Sequence, residues 1–211
     1  TPGETLEFRF NLTNNGNAPD DLTLQPTLFV AHVGDDASTW SATPAQTSTV
    51  AINDSTPLNV SITVPAMAWA GSMVNITLNH VANGYIIGET FLTVNVDAVS
   101  GWRLNLTEAD LEVNPEGENL TFELIHTGNA YERPYFAKAG AGWNITLPDE
   151  ATDVAPYGTS TFQVHVQPPV DAVAGEVGVL RIRITGNDTS GLIVEEIPVR
   201  VAASPNLLVD H

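Results

Sequence analysis

The fold is decided by residues 5–12, TLEFRFNL, in which every second side chain is apolar. The same alternation recurs in residues 58–64 (LNVSITV), 120–124 (LTFEL) and 162–166 (FQVHV). A period of two buries one face of a β-strand and leaves the other face in water. No stretch of ten or more residues keeps a helical period, and turn signals such as Asn83-Gly84 recur about every dozen residues. The pattern therefore predicts an all-β sandwich or barrel.

The chain also contains an internal repeat of two units. Residues 2–8 (PGETLEF) correspond to residues 116–122 (EGENLTF), and the features that follow keep their order. These paired features are Asn15-Gly16-Asn17-Ala18 with Thr127-Gly128-Asn129-Ala130, Trp40 with Trp143, Pro65 with Pro168, and Ala70-Gly71 with Ala174-Gly175. The repeat predicts two sandwiches, residues 1–99 and 100–204. Residues 205–211 are then the start of a following repeat or a tail, because they resemble the opening of the second unit.

Each unit resembles the bacterial and archaeal Ig-like domains of secreted glycosidases and surface proteins. That group includes the alpha-galactosidase-associated domain and the cell-adhesion-related domain CARDB. The resemblance lies in a Pro-Gly-Glu turn, a Gly-Asn pair at the end of the alternating strand, a Trp, and a Pro followed by Ala-Gly, here Pro2-Gly3-Glu4, Gly16-Asn17, Trp40, Pro65 and Ala70-Gly71. It implies two tandem immunoglobulin-like antiparallel β-sandwiches that serve as extracellular spacers, adhesion modules or accessory domains, with no catalytic residues to transfer.

Composition excludes several classes of function. The chain has 25 acidic and 7 basic residues, for a formal net charge of −18 at pH 7, and no cysteine. Nucleic-acid binding requires a basic surface, so it is not expected. The absence of cysteine removes any disulfide framework or cysteine metal site. No apolar run approaches the roughly 20 residues of a membrane-spanning helix. The first residue is Thr1, with no signal peptide, which indicates a piece of a longer chain.

The acidic residues have two interpretations. Paired carboxylates could supply oxygen ligands for calcium, here Asp20-Asp21, Asp35-Asp36, Glu195-Glu196 and Glu116 with Glu118. None of these pairs has the spacing of a dedicated calcium loop. A lysine-poor acidic surface also keeps an extracellular protein soluble, and this second interpretation is favoured. We therefore expect no cofactor, with calcium as the weaker alternative.

Catalysis is not expected from the sequence. The histidines are scattered, without a pair at metal-ligand spacing, at His32, His80, His126, His165 and His211. No Gly-x-Ser-x-Gly elbow is present, and no nucleophile has a recognisable base beside it. The acidic residues fall on the polar faces of strands or in turns. The chain is predicted not to be an enzyme.

Asn-x-Ser/Thr sequons are the strongest functional signal. They occur at eight positions, Asn11, Asn53, Asn59, Asn75, Asn105, Asn119, Asn144 and Asn187, whereas the Ser and Thr content gives about three by chance. Six of them lie on the polar side of an alternating strand, where a glycan has room. The polar face of an amphipathic strand can also produce the pattern Asn-apolar-Thr without any role in glycosylation. Asparagine is depleted in strands, however, so its repeated use on these faces favours glycosylation.

The tryptophans separate into two groups. Trp40 and Trp143 occupy equivalent positions in the repeat and are predicted to anchor the two cores. Trp102 lies at the boundary and is predicted to pack between the units. Trp69 occupies the position of Val173 in the second unit, within a connection between strands. It is either a stacking platform for a sugar ring or a side chain packed over one end of the core.

These patterns favour a non-catalytic extracellular structural or spacer module of a larger cell-surface or secreted protein, used in adhesion or display. The alternative is a carbohydrate- or protein-binding accessory module of a secreted enzyme, with Trp69 as its platform. Expected partners are neighbouring Ig-like domains of the same chain and a cell-surface glycan or protein. The fragment itself is expected to be a monomer without membrane insertion.

Overall fold

The computed structural model describes residues 1–106, 111–140, 142–148, 151–187 and 191–203. Within these residues the chain is all-β, as the alternating pattern predicts, and no helix is present. It divides into two compact units, Thr1–Val99 and Ser100–His211. The predicted start of a third repeat at residues 205–211 lies outside the described residues. No helix among the described residues is long and apolar enough to cross a membrane.

The first unit is a sandwich of two antiparallel sheets. Its strands are β1 (Thr5–Thr13), β2 (Asp20–Ala31), β3 (Ser41–Ala42), β4 (Gln46–Val50), β5 (Ser55–Thr63), β6 (Met73–Ala82) and β7 (Tyr85–Asn95). One sheet has the order β1-β5-β3 and the other has the order β4-β2-β6-β7. The register places Phe8 opposite Val60, so the apolar residues of neighbouring strands point to the same face.

Among its described residues, the second unit repeats six of these seven strands, has no counterpart of β4 and adds two short strands at its start. Its strands are β8 (Trp102–Asn105), β9 (Leu111–Val113), β10 (Glu118–His126), β11 (Tyr135–Lys138), β12 (Asn144–Thr146), β13 (Thr159–Gln167), β14 (Val177–Thr185) and β15 (Ile193–Val201). The sheets have the orders β12-β13-β10-β8 and β11-β14-β15-β9. All strand pairings in the described part of this unit are antiparallel except β9 with β15, which is parallel. The predicted immunoglobulin-like β-sandwich fold is therefore confirmed, with one parallel pair that the sequence pattern does not reveal.

Each unit closes its own hydrophobic core between its two sheets. Fully buried residues such as Ile62 and Leu78 fill the first core, and Leu124, Leu180 and Ile182 fill the second. Apolar burial at this density is the main stabilising contribution in a domain of this size. Each unit thus has a hydrophobic core of its own.

Three of the tryptophans are buried in the cores of the two units. Trp40 and Trp143 are buried in the first and second cores, which confirms them as core anchors. The prediction for Trp102 was wrong. Its ring is buried in the core of the second unit and stacks on His126, with the ring centroids 4.3 Å apart. Its partner is a histidine that only the register of β8 with β10 brings alongside.

Candidate functional sites

Five sequon asparagines lie on the outer faces of corresponding sheets in the two units. Asn11 and Asn59 belong to the β1-β5-β3 sheet, and Asn105, Asn119 and Asn144 belong to the β12-β13-β10-β8 sheet. They alternate with core residues along their strands, because side chains two positions apart share a face. Four of the five are exposed, and Asn105 is half-buried. The polar faces that carry sequons are therefore concentrated on one side of each sandwich.

Asn105 differs from its neighbour Asn119 in how its amide is used. The Asn105 Nδ2 donates a hydrogen bond of 2.5 Å to Glu123 Oε2 on the adjacent strand. This nitrogen is the atom to which an N-glycan is attached. At Asn119, His165 Nδ1 lies 3.0 Å from the amide oxygen Oδ1. The contact at Asn119 therefore engages the oxygen, whereas the contact at Asn105 engages the nitrogen.

Asn75 lies on the outer face of the other sheet of the first unit. Its register partners are Phe29 on β2 and Thr93 on β7, and the Thr93 hydroxyl donates to Asn75 Oδ1 at 2.8 Å. Phe29 is 59% exposed. An exposed aromatic ring therefore lies directly across the strand from this sequon.

The remaining two sequons lie in connections between strands. Asn53 adopts a left-handed backbone conformation, with φ of 57°, and its N–H donates to the Asn14 carbonyl at 2.8 Å. Asn187 follows β14, and its N–H donates to Glu132 Oε1 at 3.1 Å. Both asparagines are exposed. The hydroxyl residues Thr107 and Thr189, which complete the Asn105 and Asn187 sequons, lie outside the described residues.

Trp69 is half-buried and packs against the loop that follows β2. A β-carbon on Gly34 would lie 2.8 Å from its Cζ3 atom, so one edge of the indole covers this glycine. Gly34 has a φ of 56°, a conformation that glycine adopts without strain. Part of the indole is therefore occupied by packing, and the role of Trp69 as a ligand platform stays a prediction.

Beneath Trp69 lies a buried carboxylate that the sequence did not single out for this role. Asp36 accepts hydrogen bonds from the Ser72 hydroxyl at 2.6 Å, the Trp69 N–H at 3.0 Å and the Ser38 N–H at 2.8 Å. Burial alone would raise the pKa of Asp36, but the hydrogen bonds from Ser38, Ser72 and Trp69 outweigh it and hold the pKa well below its usual range. The charged carboxylate thus ties together residues that are distant in sequence.

A second buried polar cluster lies in the second unit. His126 Nε2 is 3.2 Å from Glu132 Oε2, and His126 Nδ1 is 3.0 Å from the Ala155 carbonyl. Because the carbonyl can only accept, Nδ1 is the donor in its contact with Ala155. The Ser100 hydroxyl donates to both oxygens of Glu132, at 2.8 and 2.6 Å.

This cluster does not have the arrangement of a catalytic triad. In a triad the serine hydroxyl contacts the histidine, which activates it as a nucleophile. Here Ser100 contacts Glu132 instead, and both His126 and Glu132 are buried. The cluster fixes the start of the second unit to the loops around Ala155 and Asn187. Its members could not be found from sequence spacing because they lie up to 87 residues apart, a separation set by Ser100 and Asn187.

The acidic pairs considered for calcium are engaged in separate contacts. Asn83 donates to Asp20 at 3.1 Å, Thr49 donates to Asp21 at 2.5 Å, and Arg181 Nε lies 2.8 Å from Glu196 Oε1. Across the part of the chain that the structure describes, no three carboxylate or histidine residues form a group that could hold a metal ion. Asp20, Asp21 and Glu196 thus each have a separate hydrogen-bond partner, and the absence of a cofactor stays a prediction.

A cavity lies in the second unit. It has a volume of about 540 Å³ and lies beside Phe136, with Pro134 and Pro148 in its walls and the Arg133–Asp153 ion pair at its rim. Phe136 packs on Phe162 with ring centroids 4.4 Å apart, so the cavity floor belongs to the core. The cavity is an open depression beside the core.

Comparison with protein families gives no match, and comparison with curated proteins gives none. Among solved structures, a protein of unknown function from Porphyromonas gingivalis W83 is 16% identical with a TM-score of 0.34, over 94% of this chain and 92% of its own. The D0-D1 domain of intimin is 11% identical with a TM-score of 0.29, over 93% and 90%. Domains 4 and 5 of the S-layer protein SbsC are 14% identical with a TM-score of 0.32, over 67% and 69%.

These likenesses are to general β-sandwich architecture, and at such TM-scores they carry no conclusion about function. The resemblance to the alpha-galactosidase-associated and CARDB domains stays a prediction.

Proposed function

We propose that the chain is a non-catalytic structural module, a pair of Ig-like sandwiches that acts as a spacer in the extracellular part of a larger protein. The observation that carries this proposal is the short and tied connection between two complete cores. Val96 still belongs to the first unit, since its N–H donates to the Ser72 carbonyl at 2.9 Å. Ser100 is fixed to Glu132 in the second unit. Only residues 97–99 lie between them.

A connection of this length limits the freedom of a tandem pair. Three residues span at most about 10 Å when fully extended, far less than a flexible linker provides. Two closed sandwiches joined in this way would keep their separation under load. A spacer needs this property and needs no pocket or reactive group.

The spacer proposal is tested by measuring distances between the units. The chain contains no cysteine, so Glu7→Cys in the first unit and Thr121→Cys in the second can carry nitroxide labels without background. Both positions are exposed on outer faces. We expect a narrow distance distribution by double electron–electron resonance. A control with about eight Gly and Ser residues inserted after Val99 should broaden it. A native distribution as broad as that of the control would contradict the spacer role.

We propose further that the exposed sequons carry N-glycans in the natural host, which places the module outside the cell. Seven of the eight asparagines are exposed, and Asn105 is the exception. Glycans on the outer faces would shield the hydroxyl- and amide-rich sheets from proteolysis and from association with other sheets.

The matched pair Asn105 and Asn119 tests this proposal on neighbouring strands of one sheet. Because the Asn105 nitrogen donates to Glu123, we expect little or no glycan at Asn105 and substantial occupancy at Asn119. Peptide mapping by mass spectrometry of protein from its natural host measures both. Absence of glycan at all eight asparagines would overturn the proposal, and full occupancy at Asn105 would overturn its structural reason.

A further inference from the structure

The outer face of the β4-β2-β6-β7 sheet carries two exposed phenylalanines. Phe29 on β2 is 59% exposed, and Phe91 on β7 is 70% exposed. Their neighbours in sequence, Leu28 and Leu92, pack against the core. Because successive side chains of a strand point to opposite faces, both rings stand on the face that is turned away from the core. Large apolar rings in this position gain free energy from a group that covers them.

Strand register places the Asn75 sequon between the two rings. Asn75 lies opposite Phe29 on one side and opposite Thr93 on the other. Thr77, which completes the sequon, lies opposite Phe91. Directly opposite residues of antiparallel strands have β-carbons about 5 Å apart, and diagonal neighbours are about 7–8 Å apart. Phe29 is therefore a direct neighbour of Asn75, and Phe91 is a diagonal one.

The amide of Asn75 is turned so that its nitrogen lies on the Phe29 side. The Thr93 hydroxyl donates to Asn75 Oδ1 at 2.8 Å, so the amide oxygen is directed towards β7. The oxygen and the nitrogen of a planar amide point in diverging directions, so Nδ2 is turned away from β7, and Phe29 lies on that side. A sugar attached to Nδ2 therefore starts beside the Phe29 ring.

The other sequons on strands have no phenylalanine opposite the asparagine. The residues that face them are Pro57 for Asn11, Arg9 for Asn59, Glu123 for Asn105, His165 for Asn119 and Gln167 for Asn144. Among the described strands, the pairing of a sequon asparagine with an exposed phenylalanine is thus particular to Asn75.

The second unit lacks this sequon, and its corresponding face is charged. Counted from the equivalent glycine turns of the repeat, the sequon is replaced by Val179 and Arg181. Arg181 lies opposite Glu196, which takes the place of Phe91, and Arg181 Nε is 2.8 Å from Glu196 Oε1. An ion pair thus occupies this face where no glycan can be attached, and phenylalanine occupies it where one can.

We propose that the N-glycan at Asn75 packs its first sugar on the Phe29 ring and so forms part of the folded first unit. The inference rests on the proposed function, in which the exposed sequons carry glycans. In that modification the anomeric carbon of an activated sugar phosphate forms a bond to Nδ2, the phosphate leaves with the bonding electron pair, and Nδ2 loses a proton.

The chemistry of a pyranose suits this ring. One face of the sugar consists of C–H groups, which pack on an aromatic ring, while the hydroxyls at its rim stay in water. Attachment to the neighbouring strand keeps the sugar at a high effective concentration beside Phe29, so a weak contact is sufficient. The ring that the fold leaves in water is thereby covered by a group of the same chain.

Hydroxyl-radical footprinting of the glycosylated chain from its natural host tests the contact. Peptide mapping by mass spectrometry measures the oxidation of each aromatic side chain, which follows its exposure to water. Thr77→Val removes the sequon, keeps Asn75 with its Thr93 bond, and retains a β-branched residue in the strand. We expect the oxidation of Phe29 to rise severalfold in this variant. The oxidation of Tyr85, at the start of β7, should stay unchanged.

Ser61→Ala is the matched control, because it removes the Asn59 sequon on the other sheet of the same unit. It should leave the oxidation of Phe29 as it is. Equal oxidation of Phe29 with and without the Asn75 glycan would overturn the contact, and so would a larger change at Phe91 than at Phe29. Absence of glycan at Asn75 alone would also overturn it, whereas glycans at the remaining sequons would leave the proposed function standing.

A double-mutant cycle provides a second readout, the stability of the first unit. We expect Thr77→Val to lower the midpoint of thermal unfolding by a few degrees more in the native background than in the Phe29→Ala background. The glycan has no ring to cover in the second case, and the effect of the valine itself cancels in the comparison. Differential scanning calorimetry of the full chain measures the midpoints. Equal losses in both backgrounds would overturn the contact without bearing on glycosylation itself.

Discussion

Trp143 lies across Gly178 in the second unit, where a β-carbon would overlap the indole ring. Gly178 has an ordinary extended conformation, so the requirement for glycine is one of space and not of backbone strain. The corresponding residue of the first unit is Val74, which is fully buried. The position of the Trp143 ring thus leaves no room for a side chain at position 178 of β14.

Gly178→Ala should therefore destabilise the second unit, although alanine normally suits a strand better than glycine. We expect a loss of about 1–3 kcal/mol in the free energy of unfolding, the usual cost of overpacking a core. Chemical denaturation measures it. The same substitution combined with Trp143→Leu should cost much less, and an equal cost in both backgrounds would refute the steric explanation.

Asp36 illustrates how hydrogen bonds can outweigh the desolvation penalty of a buried charge. Its carboxylate has three hydrogen-bond donors, and its side chain is 0% exposed. A carboxyl group whose folded pKa lies below its ordinary value of 3.8 stabilises the fold fully above that value. The stabilisation is lost progressively as the pH falls below it, because the unfolded chain then binds a proton that the folded chain does not.

Asp36→Asn is expected to lower the free energy of unfolding by about 2–3 kcal/mol near neutral pH, since hydrogen bonds to a charged acceptor are lost. The difference between the native chain and the variant should stay constant down to about pH 5 and shrink between about pH 5 and pH 2.5. Urea denaturation across this range measures it. A difference that grows as the pH falls would show that Asp36 is not held in its charged form.

At the scale of elements, sequence periodicity identified the long strands and missed the short ones. The period of two is visible in the sequence of residues 5–12 and 162–166, because every second residue is apolar and faces the core. Strands such as β3, with two residues, and β12, with three, are too short to show a period. The parallel pairing of β9 with β15 depends on contacts about 88 residues apart, between Leu111 and Val199, which no local pattern encodes.

The functional features also divide into those with a local sequence pattern and those that depend on contacts between distant residues. The sequons could be found because their pattern is local, and the structure places most of these asparagines on exposed faces. The Asn105–Glu123 bond, which separates Asn105 from the others, depends on strand register and could not be anticipated. The buried clusters around Asp36 and Glu132 likewise form only when distant loops meet.

At the scale of the whole molecule, two closed cores and a connection of three residues lead to the proposed spacer. Nothing in the proposed role requires a catalytic group, and the buried ionisable residues of both clusters are occupied by hydrogen bonds within their own units. Exposed sequons and the acidic surface fit a module that works outside the cell.

Small-angle X-ray scattering of the dilute native chain tests the central claim most directly. A single compact globule of 211 residues has a radius of gyration of about 17 Å. We predict a clearly larger radius, with a pair-distance distribution showing the separate contributions of two bodies. A radius near that of one globule, with a single symmetric distribution, would contradict the spacer account.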